Sequence, residues 1–153
     1  MISVIFVCLG NICRSPMAEL IFKNMVKERG LEGSFLISSF GTSDCEEGNR
    51  IYPPAKRMLE SRNVKGDHVA KQLSLKDVIN ADYVLVMDSG NLFDVLRLTG
   101  GKFGEKVLKL CSFTANPRDV ADPWYTRDFN RAYEDIFDGC NCFLNYLTET
   151  RRV

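Results

Sequence analysis

Near the start of the chain, Cys8-Leu9-Gly10-Asn11-Ile12-Cys13-Arg14-Ser15 sets a cysteine and an arginine in a Cys-x5-Arg-Ser spacing, with Pro16 directly after. Each residue type suits the capture of an oxyanion. A cysteine thiolate is a nucleophile, and a guanidinium is a two-pronged donor matched to two phosphate oxygens. Successive backbone N–H groups curled around one point form an anion nest, and the first free N–H groups of a following helix add to it. The same positive environment favours the ionised form of Cys8. Gly10 and Asn11 are the residue types most tolerant of the left-handed backbone that a tight loop demands. A plainer reading is a buried cysteine at a strand end with Arg14 solvated in the next turn. For an arbitrary cysteine, average composition gives Arg then Ser or Thr at that offset less than about 1% of the time. A strand before the loop and a Ser-Pro helix start after it favour the chemical reading. Without Gly-Lys-Ser/Thr it is not a Walker-type phosphate loop.

A thiolate that attacks a phosphate ester still needs an acid for the leaving group. Asp122-Pro123-Trp124-Tyr125 offers one: proline stiffens the segment, the aromatic residues can wall a slot, and Asp122 can donate a proton and later take one from water. Alone, Asp-Pro is an ordinary turn signal.

The elements that must position these groups follow from hydrophobic spacing. Ser3 to Cys8 is continuous, β-branched or aromatic, and predicts a buried strand. Ser15 as N-cap and Pro16 as first helical residue predict a helix through Arg29, stopped at Gly30. Further strands are expected at Phe35–Ser38, Tyr83–Met87 and Val107–Leu110. Helices are expected at Ala55–Arg62, Ser74–Asn80, from Ser89 or Asn91 through Leu98, and from Phe129 to about Thr148. Gly41 to Pro54 reads as a surface loop and Cys111 to Arg127 as irregular. Strands alternating with helices predict an α/β fold: a single domain over 1–153, with a parallel sheet covered by helices on both faces. In such sheets ligands bind beyond the carboxyl ends of the strands, where the Cys8 loop lies.

Composition removes other classes. The 153 residues carry 20 basic and 20 acidic side chains, which argues against a nucleic-acid partner. No stretch approaches the roughly 20 apolar residues of a membrane span, and the apolar run at Ile2–Leu9 is too short for a secretory signal. The expected setting is therefore cytoplasmic, with the six cysteines reduced. His68 is the one histidine, and Cys140 and Cys142 lack Cys-x-x-Cys spacing, so neither a metal site nor a cofactor is expected.

Taken together, Val7–Glu19 and Asp122–Tyr125 resemble the low-molecular-weight protein tyrosine phosphatases. Ser39-Phe40-Gly41-Thr42, His68-Val69-Ala70-Lys71-Gln72 and Met87–Leu92 also match landmarks of that family. The resemblance implies a four-stranded parallel sheet, Cys8 as nucleophile, Arg14 as phosphate and transition-state binder, and Asp122 as general acid then base. It implies that Ser15 stabilises the thiolate, and that Asn11 is held in a strained conformation by Ser15, Ser39 and His68. Asp88 and Asn91 brace neighbouring loops or simply start a helix. The reaction implied is phosphomonoester hydrolysis through a cysteinyl-phosphate, with the amides of Leu9, Gly10, Asn11, Ile12, Cys13 and Arg14 around the phosphate. The expected substrates are phosphotyrosine proteins or peptides, their ring held in a slot of Leu9, Ile12, Cys45, Trp124 and Tyr125, on a monomeric enzyme. Cys13 is either a small residue packed under the loop or, as the resemblance implies, a redox partner of Cys8.

Several positions depart from the family pattern: Phe40 beside Ser39, Cys45 where an aromatic wall residue is common, Trp124 at a variable position, and Thr126 where glycine is common. Thr114–Ala121 is hard to align. Other readings share the scaffold. Arsenate reductases need further shuttle cysteines, and Ala81–Leu98 contains none. Protein arginine phosphatases tend to carry threonine where Ile12 stands. A non-catalytic phosphopeptide binder would need the cradle but neither Cys8 nor Asp122.

Overall fold

Val4, Ile5, Phe6 and Val7 are apolar on both sides of the backbone, a pattern that is stable only when both faces of the sheet are covered. The computed structural model, which describes residues 1–153, places them in β1 (Ile2–Cys8), an inner strand of a four-stranded sheet. The other strands are β2 (Phe35–Gly41), β3 (Tyr83–Val86) and β4 (Val107–Lys109). All pairs are parallel, and the order is β2-β1-β3-β4. The chain thus steps to one side of β1 and then to the other, which creates a topological switch point at the carboxyl ends of β1 and β3.

The helices are α1 (Arg14–Glu28), α2 (Pro53–Ser61), α3 (Leu75–Asn80), α4 (Ser89–Leu98), α5 (Pro123–Thr126) and α6 (Phe129–Glu149). The two-residue period of β1 divides the core. Val4, Phe6 and Cys8 face a large cluster built with α1, α2 and α6, while Ile5 and Val7 face a smaller one containing Val78 of α3 and Val95 of α4. Phe22 of α1 ties the larger layer together, with ring centroids 5.7 Å from Phe6 and 5.6 Å from Phe143. The apolar stripe of α6 is buried, from Ala132 through Ile136, Cys140, Phe143 and Leu144 to Leu147. Gly139 lets that helix close on the turn after β4, because a Cβ there would lie 2.6 Å from Leu110 Cγ. No helix is long and apolar enough to cross a membrane.

Boundaries differ from the sequence reading for identifiable reasons. β2 continues through Ser39 and Phe40 to Gly41, pairing in register with Phe6, Val7 and Cys8. A buried serine is acceptable there because its hydroxyl is hydrogen-bonded. α1 begins at Arg14, not after Ser15: the N-cap is Cys13, with no side-chain cap bond, because the Ser15 hydroxyl points to Cys8 and Asn11 instead. Asp88, rather than Ser89 or Asn91, caps α4, in a reciprocal capping box with Asn91. Leu110 leaves the expected fourth strand for a 3-10 turn, Leu110–Phe113.

Candidate active site

The Cys8–Ser15 loop leaves β1 at the switch point and enters α1. Its carbonyls are engaged from outside: Cys8 O by the Thr42 amide, Leu9 O by Ser43, Ile12 O by Tyr52 and Cys13 O by Met17. No protein acceptor takes the amides of Gly10, Ile12 or Cys13. Gly41 at the end of β2 makes room for the curl, since a Cβ there would sit 2.8 Å from Leu9 O.

At the floor, Cys8 is 3% exposed. Its Sγ is 2.9 Å from Ser15 Oγ and accepts the Asn11 amide at 3.3 Å. Both contacts set a polar group directly against the sulfur. Asn11 takes the left-handed conformation, φ 59°, which costs free energy for any residue with a Cβ. Its side chain holds it there. Nδ2 donates to Ser15 Oγ (2.7 Å) and Ser39 Oγ (3.1 Å), while Oδ1 accepts the Lys71 amide (3.0 Å) and faces His68 Nε2 (2.6 Å). Beneath them lies Glu19, whose Oε1 accepts from Ser39 Oγ at 2.6 Å and faces His68 Nδ1 at 3.3 Å; Lys23 donates to Oε2 at 2.6 Å. Burial pushes the Glu19 carboxyl up, but hydrogen bonds from His68, Lys23 and Ser39 outweigh it and hold the group below the usual carboxylate range. The whole interior is satisfied: no buried side-chain nitrogen or oxygen lacks a partner.

Arg14 is 2% exposed. Nη1 donates to Asp88 Oδ2 (2.7 Å) and to the Val120 carbonyl (2.8 Å), and Nη2 lies 3.4 Å from Asp122 Oδ2. Burial works against its charge, but Cys8, Asp88 and Asp122 overcome that and hold it more firmly protonated than an ordinary arginine. Asp88 therefore does both things the sequence allowed: it caps α4 and braces the site. Asp122 caps α5, its Oδ1 accepting the Trp124 amide at 3.0 Å, which leaves Oδ2 toward Arg14.

The cleft above has a volume of about 190 Å³, below the roughly 300–1,000 Å³ of sites for drug-sized ligands. It suits a phosphate carrying one ring. Loop residues Cys8 to Arg14 form one side, with Cys45, Glu46, Asp122, Trp124 and Tyr125 opposite. All three groups assigned to the reaction, and all the slot residues, thus converge on one cleft. Ser39 and His68 lie behind it as loop support. Cys13 is buried in the same loop, and burial, then the charges of Cys8 and Asp122, push its thiol up to about 12. No group of three or more His, Cys, Asp and Glu side chains is gathered as a metal site.

Sequence reasoning gave no role to Glu19, Glu46 or the Val120 carbonyl. Glu19 had a signal: Met17, Ala18, Leu20 and Ile21 make that turn of the helix apolar on most sides, which points to a helix enclosed by the core and an acid there that needs partners. The carbonyl of Val120 is main chain and had none.

A family model described as low molecular weight phosphotyrosine protein phosphatase matches residues 3–153. A curated relative of that name from Schizosaccharomyces pombe is 40% identical over 152 residues, covering 95% of this chain and 97% of its own. The crystal structure of YfkJ from Bacillus subtilis superposes with a TM-score of 0.94 at 34% identity, over 98% of this chain and 96% of that one. The Drosophila arginine phosphatase superposes with a TM-score of 0.87 at 29% identity, over 94% and 96%.

Proposed function

The chain belongs to the low-molecular-weight phosphotyrosine protein phosphatase family, and we propose that Cys8, Arg14 and Asp122 carry its reaction. It is a hydrolase of phosphoric monoesters that acts on phosphotyrosine. The observation that supports the assignment best is the meeting of the Cys8 thiol, the Arg14 guanidinium and the Asp122 carboxyl in one cleft, although Asp122 lies far along the chain from the other two.

Cys8 Sγ attacks phosphorus in line with the ester oxygen. The loop amides from Leu9 to Arg14 and the Arg14 side chain hold the three equatorial oxygens, where charge builds in the transition state. Asp122 gives its proton to the departing phenolate, leaving a cysteinyl-phosphate, and then takes a proton from the water that cleaves the S–P bond. Ser15 and the Asn11 amide steady the thiolate as it forms and as it is released. Replacing Cys8 by serine leaves an unactivated hydroxyl, so turnover should fall below about a hundredth of wild type while vanadate still binds. A higher residual rate would overturn the assignment, as would strong inhibition by a metal chelator.

Phosphotyrosine is favoured over phosphoarginine by apolar Ile12 on the loop and by the Tyr125 and Trp124 rings at the mouth. Parallel assays with the two phosphopeptides separate these readings. The reducing cytoplasm suits a monomeric enzyme whose six cysteines are all free. Oxidation of Cys8 by peroxide gives a sulfenic acid, and the Cys13 thiol can displace water from it to close a disulfide. Wild type should then recover with dithiothreitol, whereas Cys13→Ser should recover much less. Equal recovery leaves Cys13 as a packing residue.

A further inference from the structure

Trp124 is the only tryptophan in the chain, and it stands in the cleft wall 45% exposed. An aromatic ring with so much open surface hops between rotamers unless something holds it. Its neighbours form a stack. Tyr52 lies 4.8 Å from it, ring centroid to ring centroid, and 6.0 Å from Phe129 on its other side. Tyr52 is fastened to the phosphate loop, since its amide donates to Ile12 O at 2.9 Å.

Arg127 closes the stack. Its guanidinium lies 5.7 Å from the centre of the Tyr52 ring and 5.8 Å from that of Trp124. Nη1 donates to the Tyr52 hydroxyl at 3.0 Å. The residue sits just past α5 with φ 60°, a conformation in which glycine would be at ease and arginine is not. Arg127 does not itself line the cleft. Arg127 thus holds a strained backbone beside the site while its side chain engages Trp124, which lines the cleft, and Tyr52, which stands behind it.

We propose that Arg127 is a positioning residue for substrate specificity: it clamps Trp124 against Tyr52, so that the indole stands ready as a wall for the substrate's aromatic ring. Aryl phosphates gain from this wall and alkyl phosphates do not. The inference rests on the cleft being the phosphotyrosine pocket.

Arg127→Gly is the suitable variant, because glycine accepts the left-handed backbone and removes only the clamp. The KM for phosphotyrosine should rise about three- to tenfold, the scale of a cation–π stack with one hydrogen bond. Its kcat should stay within about twofold. Inhibition by inorganic phosphate and the KM for an alkyl phosphate should not change. Fluorescence reads the ring directly: acrylamide should quench Trp124 more readily in the variant than in wild type. Trp124→Ala should raise the aryl KM at least as much, and adding Arg127→Gly to it should cost nothing further. If Trp124→Ala leaves the aryl KM unchanged, the pocket reading itself fails. If Trp124→Ala raises it while Arg127→Gly changes neither KM nor quenching, the clamp is overturned and the pocket stands. A rise in KM without a change in quenching also overturns the clamp, since Arg127 would then act other than through Trp124.

Discussion

At the floor of the cleft and just behind it Asn11, Arg14, Ser15 and Ser39 are each no more than 2% exposed, whereas at its mouth Leu9, Trp124 and Tyr125 are 41%, 45% and 76% exposed. Floor groups have been taken out of water, so each must find its hydrogen bonds within the protein, and each found partner fixes the next. Cys8, Ser15, Asn11, Ser39, His68 and Glu19 form one such chain. Mouth residues face solvent and are held by a few contacts that can be lost one at a time. The chemistry is therefore set where position is over-determined, and substrate choice is set where it can vary without unfolding the protein.

That contrast predicts steep losses for the floor and its catalytic partners, and shallow ones for the mouth. The steepest in the set is Asp122→Ala, expected to slow aryl phosphate hydrolysis by roughly 10²–10⁴-fold, the usual worth of a general acid. The loss should shrink for very acidic phenols, which leave without a proton. An equal loss across leaving groups would contradict the role. Next comes Asn11→Ala, which keeps the strained φ but removes the four side-chain contacts to Ser15, Ser39, Lys71 and His68. It should lower kcat about 10–100-fold and destabilise the fold by about 1–3 kcal/mol, the cost of buried groups left unpaired. Chemical denaturation beside steady-state kinetics checks both. Wild-type kcat in this variant would mean that the loop holds its shape without the network.

A smaller effect belongs to pH. The folded-state Glu19 carboxyl lies below its ordinary value, so the stability it contributes is present above the unfolded value of about 4.3 and is lost as pH falls through the folded one. Melting temperature against pH should therefore fall less steeply below about pH 4 in Glu19→Gln than in wild type. Parallel curves would remove Glu19 from the account. The smallest effect is at the mouth: Cys45→Ala, exposed on the far wall, should move the KM for an aryl phosphate by less than about threefold and leave kcat alone, as surface substitutions usually do. A drop in kcat there would erase the distinction between floor and mouth.

The same division governs what could be read from the chain. β1, the loop and the presence of a helix directly after it were legible because continuous apolar residues, a Cys-x5-Arg-Ser spacing and a Ser-Pro step each carry a local meaning, though the cap of that helix was not. The alternation of strands and helices likewise predicted the parallel sheet. The end of β2 was not legible, since Ser39 looks polar until its hydroxyl is seen bonded to Glu19 and Asn11. Ser15 has the form of a helix cap and serves the thiol instead, a competition that only the folded loop decides. The tie from Arg14 to the Val120 carbonyl joins residues 106 apart in sequence through a main-chain atom, and no residue type announces it.

The central claim, that Cys8 is the atom to which phosphate is transferred, is tested most directly by trapping the intermediate. Asp122→Ala should be mixed with an aryl phosphate bearing a very acidic phenol, quenched in acid within the first turnovers, digested, and sequenced by mass spectrometry. Loss of the base for dephosphorylation slows the second step, so the account predicts one phosphoryl group on the peptide containing Cys8, localised to its sulfur, and none in Cys8→Ser. Phosphate found on another residue, or rapid turnover with no phosphocysteine at any time point, would contradict it.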